Sequence, residues 1–192
     1  MKKKLILLLT IFITFMGSFA QQATSTQRLK FMGKSMDCSM SKMASYLLQT
    51  KGCKLEAKGK DFIFMKGTFQ GYKNCDFVLR EDYNILSFCR VVLPSSYDIS
   101  WAKLESDYND IVYRFTQKYG VPPISKSEFE EHPVSDYEKL KFVKDGKCMY
   151  YSIFFIEGGT ITVHIDSSLS VFITYEDIIA KDRVEKIQQD EL

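Results

Sequence analysis

Residues 54–93 and 137–176 each hold four short runs of strand-forming residues broken by turn residues, and an amphipathic helical pattern precedes each set. This order constrains the fold most. Parallel neighbours need crossover segments of a dozen or more residues, whereas tight turns join antiparallel neighbours directly. In the first set the runs fall near Lys54–Ala57, Asp61–Phe69, Lys73–Arg80 and Ile85–Leu93, punctuated by Gly59, Gly71 and Glu81-Asp82-Tyr83-Asn84. In the second they fall near Tyr137–Lys144, Lys147–Ile156, Thr160–Asp166 and Leu169–Glu176. Asp145-Gly146 and Gly158-Gly159 read as two-residue hairpin corners, where both central positions require positive φ.

The first helical pattern places Met40, Met43, Ala44, Leu47 and Leu48 on one face, with Ser39 or Ser41 as cap and Gly52 as the left-handed stop. The second runs from about Ser100 to Tyr119 with Trp101, Leu104, Tyr108, Ile111, Phe115 and Tyr119 in a stripe, stopped by Gly120 and Pro122-Pro123. Residues 121–136 read as a polar connection. The two helix ends correspond, Tyr46–Gly52 against Arg114–Gly120, 68 residues later. The expected fold class is therefore α+β: two helix-plus-four-strand antiparallel repeats, about 29–94 and 98–176, forming a sheet with helices packed on it. They make a single domain over residues 21–178, and residues 177–192 form a polar C-terminal helix or tail.

The chain opens with three lysines, an apolar run from Leu5 to about Met16, and small residues at Ser18 and Ala20. This is the pattern of a secretory signal, residues 1–20, cleaved after Ala20. The apolar run is short for a membrane span, which takes about 20 residues. No stable span is expected after cleavage, and the expected location is periplasmic or secreted. Of the 26 basic residues, three belong to the signal, leaving 23 against 24 acids. So near-neutral a chain offers no electrostatic case for nucleic acid as a partner. The C-terminal Gln-Asp-Glu-Leu departs from the Lys- or His-Asp-Glu-Leu retention signal.

Candidate chemistry is sparse. Lys66–Phe77 has two glycines and a lysine, but its G-x-x-x-G-x-K spacing and the strand after it do not make a phosphate loop. Gly71 reads as a hairpin corner and Gly67 as a bulge or close-packing site. The five cysteines lack CxxC spacing. A hairpin pairing Arg80 with Asn84 sets Cys75 opposite Cys89 and makes them the candidate disulfide, the alternative being two buried thiols. Cys38 and Cys53 flank a helix and are about 20 Å apart at 1.5 Å per residue. Cys148 and His164 are the candidate nucleophile–base pair, yet pairing across Gly158-Gly159 turns them to opposite faces. Glu128, Glu130, Glu131, His132 and Asp136 cluster without metal-motif spacing. No cofactor or metal is expected.

Several strands are apolar on both faces. Val78, Leu86, Phe88 and Val92 oppose the face of Phe77, Leu79, Val91 and Leu93, as Ile153, Phe155 and Phe172 do for the second half. Either helices or the other half cover this second face, or it is a partly exposed patch that docks a partner. Val78, Phe88, Val92, Phe155, His164 and Phe172 are the candidate binding residues on it.

Leu29–Gly33, Lys66–Cys75, Lys118–Pro122 and Gly158–Ile165 together resemble a group of small exported Bacteroidetes proteins, over most of residues 29–178. That group carries no assigned activity. The element order is similar to that of β-lactamase-inhibitor-like proteins and of small outer-membrane assembly lipoproteins, though the lipidated cysteine of the latter is absent here. The resulting expectation is a noncatalytic interaction protein of the cell envelope whose partner is an envelope or secreted protein. The alternative is a small hydrolase using carboxylates or Cys148.

Overall fold

The structure is a computed structural model describing residues 28–96 and 98–191, so the expected signal and the leader up to Gln27 lie outside it. In chain order the elements are β1 (Lys30–Phe31), β2 (Lys34–Ser35), α1 (Met40–Lys51), β3 (Lys54–Lys58), β4 (Phe62–Phe69), β5 (Tyr72–Asp82) and β6 (Ile85–Val92). Then follow α2 (Trp101–Tyr119), β7 (Ile124–Phe129), α3 (Asp136–Lys144), β8 (Cys148–Ile156), β9 (Gly159–Asp166), β10 (Ser170–Asp177) and α4 (Ile178–Asp190). β1 and β2 form a small ribbon. The other eight strands form one antiparallel sheet in the order β3-β4-β5-β6-β10-β9-β8-β7. Each half is a four-strand meander, and the halves join through β6 and β10 at the centre. The expected fold class is what the structure has.

The second half differs from the expectation in detail. Residues 137–144, expected as a strand, lie in helix α3, and the strand that completes the meander is β7, inside the expected connection. The cause is local capping. Ser135 Oγ accepts from Glu138 N at 3.2 Å, and the Glu138 carboxylate accepts from Val134 N at 2.8 Å. This reciprocal arrangement resembles a capping box. Asp136 and Glu138 then sit in the first turn and Lys141 and Lys144 in the last, matching the helix dipole. Asp145-Gly146 ends this helix instead of turning a hairpin: Gly146, at φ 73°, provides the left-handed stop.

Turn chemistry also moves two registers. Tyr83 and Asn84 both adopt positive φ, 52° and 61°, so β5 and β6 are joined by a two-residue turn with Asp82 opposite Ile85. A bulge at Arg80/Glu81 follows, and it turns Leu86 inward, where it is buried. Cys89 consequently lies opposite Leu79 and Cys75 opposite Gly67. The expected Cys75–Cys89 disulfide does not form; both are buried free thiols. The β8–β9 corner is Glu157-Gly158, one residue earlier than expected, and pairs Ile156 with Gly159. This moves the register by two residues and keeps every side chain on its expected face. The reading of Lys66–Phe77 holds: Gln70-Gly71 is the corner, and Gly67 adjoins a bulge. A Cβ on Gly67 would lie 2.6 Å from Cys53 Sγ.

One face of the sheet carries the core. Met40, Met43 and Leu47 of α1 and Trp101, Leu104, Tyr108, Ile111 and Phe115 of α2 pack with Phe77, Val91, Phe154, Ile161, Val163, Ile173 and Tyr175. Burying a side chain of this size contributes roughly 1.5–3 kcal/mol. A hydroxyl chain pins α2 to the second half: Tyr108 Oη to Ser152 Oγ and Ser152 Oγ to Ser125 Oγ, each 2.8 Å. Fully buried Asp177 closes the fold's other junction. It caps α4 through Ala180 N at 2.9 Å and accepts from Arg28 Nε at 2.7 Å and Leu29 N at 3.1 Å.

Candidate functional site: the second face of the sheet

Alternation along the strands sends a second set of side chains to the opposite face, in three rows across the sheet. Following the strand order, the middle row is Phe64, Val78, Arg90, Thr174, Thr162, Ile153 and Ile124. On one side of it lie Phe62, Arg80, Phe88, Glu176, Thr160 and Phe155. On the other lie Lys66, Asp76, Val92, Phe172, His164, Tyr151 and Lys126. Phe62, Phe64 and Phe155 remain 40%, 41% and 42% exposed. Val78, Phe88, Val92, His164 and Phe172 are half-buried.

All six candidate binding residues thus share this face. Val78, Phe88, Val92, His164 and Phe172 gather at its centre, while Phe155 stands three strands away from Phe88. The centre is organised by a residue that the search for apolar alternation missed, Arg90. Its guanidinium lies 5.1 Å from the Phe88 ring centre and 5.4 Å from that of Phe172, and its Nε donates to Thr174 Oγ1 at 3.2 Å. The Arg80 guanidinium lies 5.9 Å from the centre of the same Phe88 ring, and His164 stacks on Phe172 with ring centres 5.4 Å apart. The result is a ladder in which Arg80 and Arg90 alternate with the Phe88 and Phe172 rings across β5, β6 and β10, closed on β9 by the His164 imidazole. A signal for Arg90 did exist in the sequence: an arginine at an outward position between two outward apolar residues.

Charges on the face differ in their partners. Lys66 pairs with Asp76 at 2.6 Å and Arg80 with Asp82 at 3.3 Å. Arg90 makes no ion pair among the described residues, so its charge is held by two rings and one hydroxyl. His164 Nδ1 has no hydrogen-bond partner among the described residues. Burial lowers the His164 pKa from its ordinary value; Asp166 opposes this and Arg90 adds to it. The imidazole is accordingly neutral at pH 7.

Elsewhere the candidate chemistry does not assemble. Cys148 packs against the core, whereas His164, opposite Tyr151, is on the other face. Burial pushes the Cys148 thiol up to about 11, away from the thiolate a nucleophile needs. The acidic cluster is divided among lysines: Glu128 with Lys126 at 3.0 Å, Glu131 with Lys147 at 3.2 Å and Asp136 with Lys139 at 3.8 Å. Among the described residues no group of three or more His, Cys, Asp or Glu side chains is placed to hold a metal ion. Among them, too, no helix is long and apolar enough to cross a membrane. Comparison of the chain with described protein families, with curated proteins and with solved structures finds no match.

Proposed function

We propose that this chain is an exported interaction protein of the cell envelope that docks a protein partner on the second face of its sheet. The occupant is a partner segment presenting a carboxylate next to an apolar or aromatic side chain. One observation carries this reading: a half-buried arginine without an acidic partner, flanked by Phe88 and Phe172 at the centre of the face. Arginine and aromatic residues in partly desolvated positions dominate interface energetics, and a guanidinium is suited to bidentate carboxylate recognition. The exposed rings of Phe62, Phe64 and Phe155 extend the apolar area to both wings. The leader at residues 1–20 and the resemblance to exported Bacteroidetes proteins support the location.

The test is site-specific photocrosslinking in envelope extract, with the crosslinker at Val78 or Val92 and a control at Tyr113, an exposed α2 residue. The expected result is one partner crosslinked from both sheet positions, through a peptide containing Asp or Glu, and lost in Arg90→Glu. Crosslinking that survives Arg90→Glu, or that arises equally from Tyr113, rejects the face as the docking surface.

A further inference from the structure

A pocket of about 550 Å³ opens on the other side of the molecule, where α1 and α2 end. Its apolar wall includes Leu29, Phe69 and Ile156, and its rim includes Lys30, Lys51 and Lys118. The size lies within the range of small-molecule sites. Lys51 and Lys118 stand in the last turns of their helices, over the rings of Tyr46 and Tyr119 at 5.6 and 4.7 Å. None of the three lysines forms an ion pair among the described residues. Arg28 also lines the pocket, but its charge is committed to Asp177 and Asp37.

The pocket also holds a buried phenol. Tyr175 is 4% exposed, wedged edge-on against Phe31 and Phe115 with ring centres 5.0 and 6.4 Å away. Its hydroxyl makes no hydrogen bond among the described residues and is not fully enclosed there, so it reaches the open space of the pocket and can donate into it. A donor left over at an apolar wall, beneath a rim of ammonium groups, matches a ligand with one negative oxygen-bearing end and a greasy body. Glu157, also in the wall, counts against a multiply charged anion.

We propose that this pocket binds a small organic monocarboxylate with an apolar body, its carboxylate taking the Tyr175 hydroxyl as donor and the Lys51 and Lys118 ammonium groups as counter-charges. The apolar body lies along Leu29, Phe69 and Ile156. This site is separate from the docking face, so the two stand or fall independently.

The probe is sodium octanoate, titrated calorimetrically into the purified protein, with octanol and octylamine as chain-length controls. Octanoate binds and both controls bind at least about tenfold more weakly, as expected when a charge-assisted hydrogen bond and two counter-charges are lost. The double variant Lys51→Gln with Lys118→Gln loses about tenfold or more in octanoate affinity while its far-UV circular dichroism stays that of the parent, because both positions are exposed. Tyr175→Phe, which keeps the ring packing, loses roughly fivefold, the size of a single hydrogen bond. Arg90→Glu leaves octanoate binding intact. Equal binding of octanol, no detectable octanoate binding, full affinity in the double lysine variant, or loss in Arg90→Glu would each overturn the assignment.

Discussion

The two faces of the sheet are made by the same strands, from residues one position apart, yet they obey different rules. On the helix-bearing face, Phe77, Leu79, Cys89, Val91, Phe154, Ile161, Val163 and Ile173 are all 0–1% exposed, and polar groups there are tied in pairs, as Tyr108 is with Ser152. On the other face aromatic and aliphatic side chains take only about half of the positions in the three rows, and they are half-buried and interleaved with charged and polar groups such as Arg80, Arg90 and Thr174. An outward ring on a strand is therefore not by itself a sign of a core. What distinguishes the two faces is whether charged groups are admitted among the rings.

Neighbouring residues on β8 give the most severe test of that contrast. Phe154→Ala removes a ring that is 1% exposed and meets Phe115 edge-on at 5.7 Å. Denaturant unfolding is expected to show a loss of about 3–5 kcal/mol for it, against under about 1 kcal/mol for Phe155→Ala. Similar losses at both positions would mean that the two faces are equally structural. Thiol reactivity sharpens the same point kinetically. Burial pushes Cys75 up to about 11, so alkylation at pH 7 is expected to run about two orders of magnitude slower in the folded protein than in the unfolded chain. Rapid modification of Cys75 in native buffer would show that the helix-bearing face opens.

A smaller effect separates polar groups. Ser152→Ala removes the hydroxyl that links Tyr108 to Ser125 in the core and is expected to cost about 1–3 kcal/mol, whereas Thr162→Ala, on the open face, stays within about 0.5 kcal/mol. The smallest effect is that of pH on His164. Its folded pKa is lowered, so at acid pH the unfolded chain takes up the proton more readily than the folded protein does. Stability is therefore full above the unfolded value near 6.5 and declines as pH falls through the folded value. Thermal melts between pH 7 and pH 5 are expected to show a downward slope that is reduced in His164→Asn. An identical slope in the variant would assign the acid sensitivity to other groups.

The sequence made the plan of the sheet visible but not all of its boundaries. Long apolar periodicities such as those of α2 and β9 carry both element type and facing, because a whole stripe must agree. β7 was hidden because it is an edge strand with serines inward at 125 and 127 and charges outward at 126 and 128, so its alternation is polar. α3 was hidden for the opposite reason: Tyr137, Leu140, Phe142 and Val143 suit a strand, and the deciding Ser135–Glu138 capping pair is weaker than composition unless specifically sought. The β5–β6 turn was misplaced because Tyr is an unusual residue at positive φ, and Leu86 between turn and bulge changed face; beyond the bulge, as in β8–β9, the slip is even. Even slips preserve facing, which is why the six residues expected on the second face share it while the expected cysteine pair is not opposed. The pocket was illegible, since Tyr175, Lys51 and Lys118 meet only through the packing of distant elements.

The seam between the halves has a consequence for how the molecule is made. β6 ends at Val92, but the strand that completes its hydrogen bonding, β10, begins only at Ser170. A chain that folds as it emerges N-terminus first therefore leaves the bonding edge of β6 unfilled until nearly eighty more residues have followed. Until that last insertion the growing polypeptide displays an adhesive ribbon, the kind of surface to which chaperones and sister chains attach. The finished protein conceals this vulnerable border at its very middle.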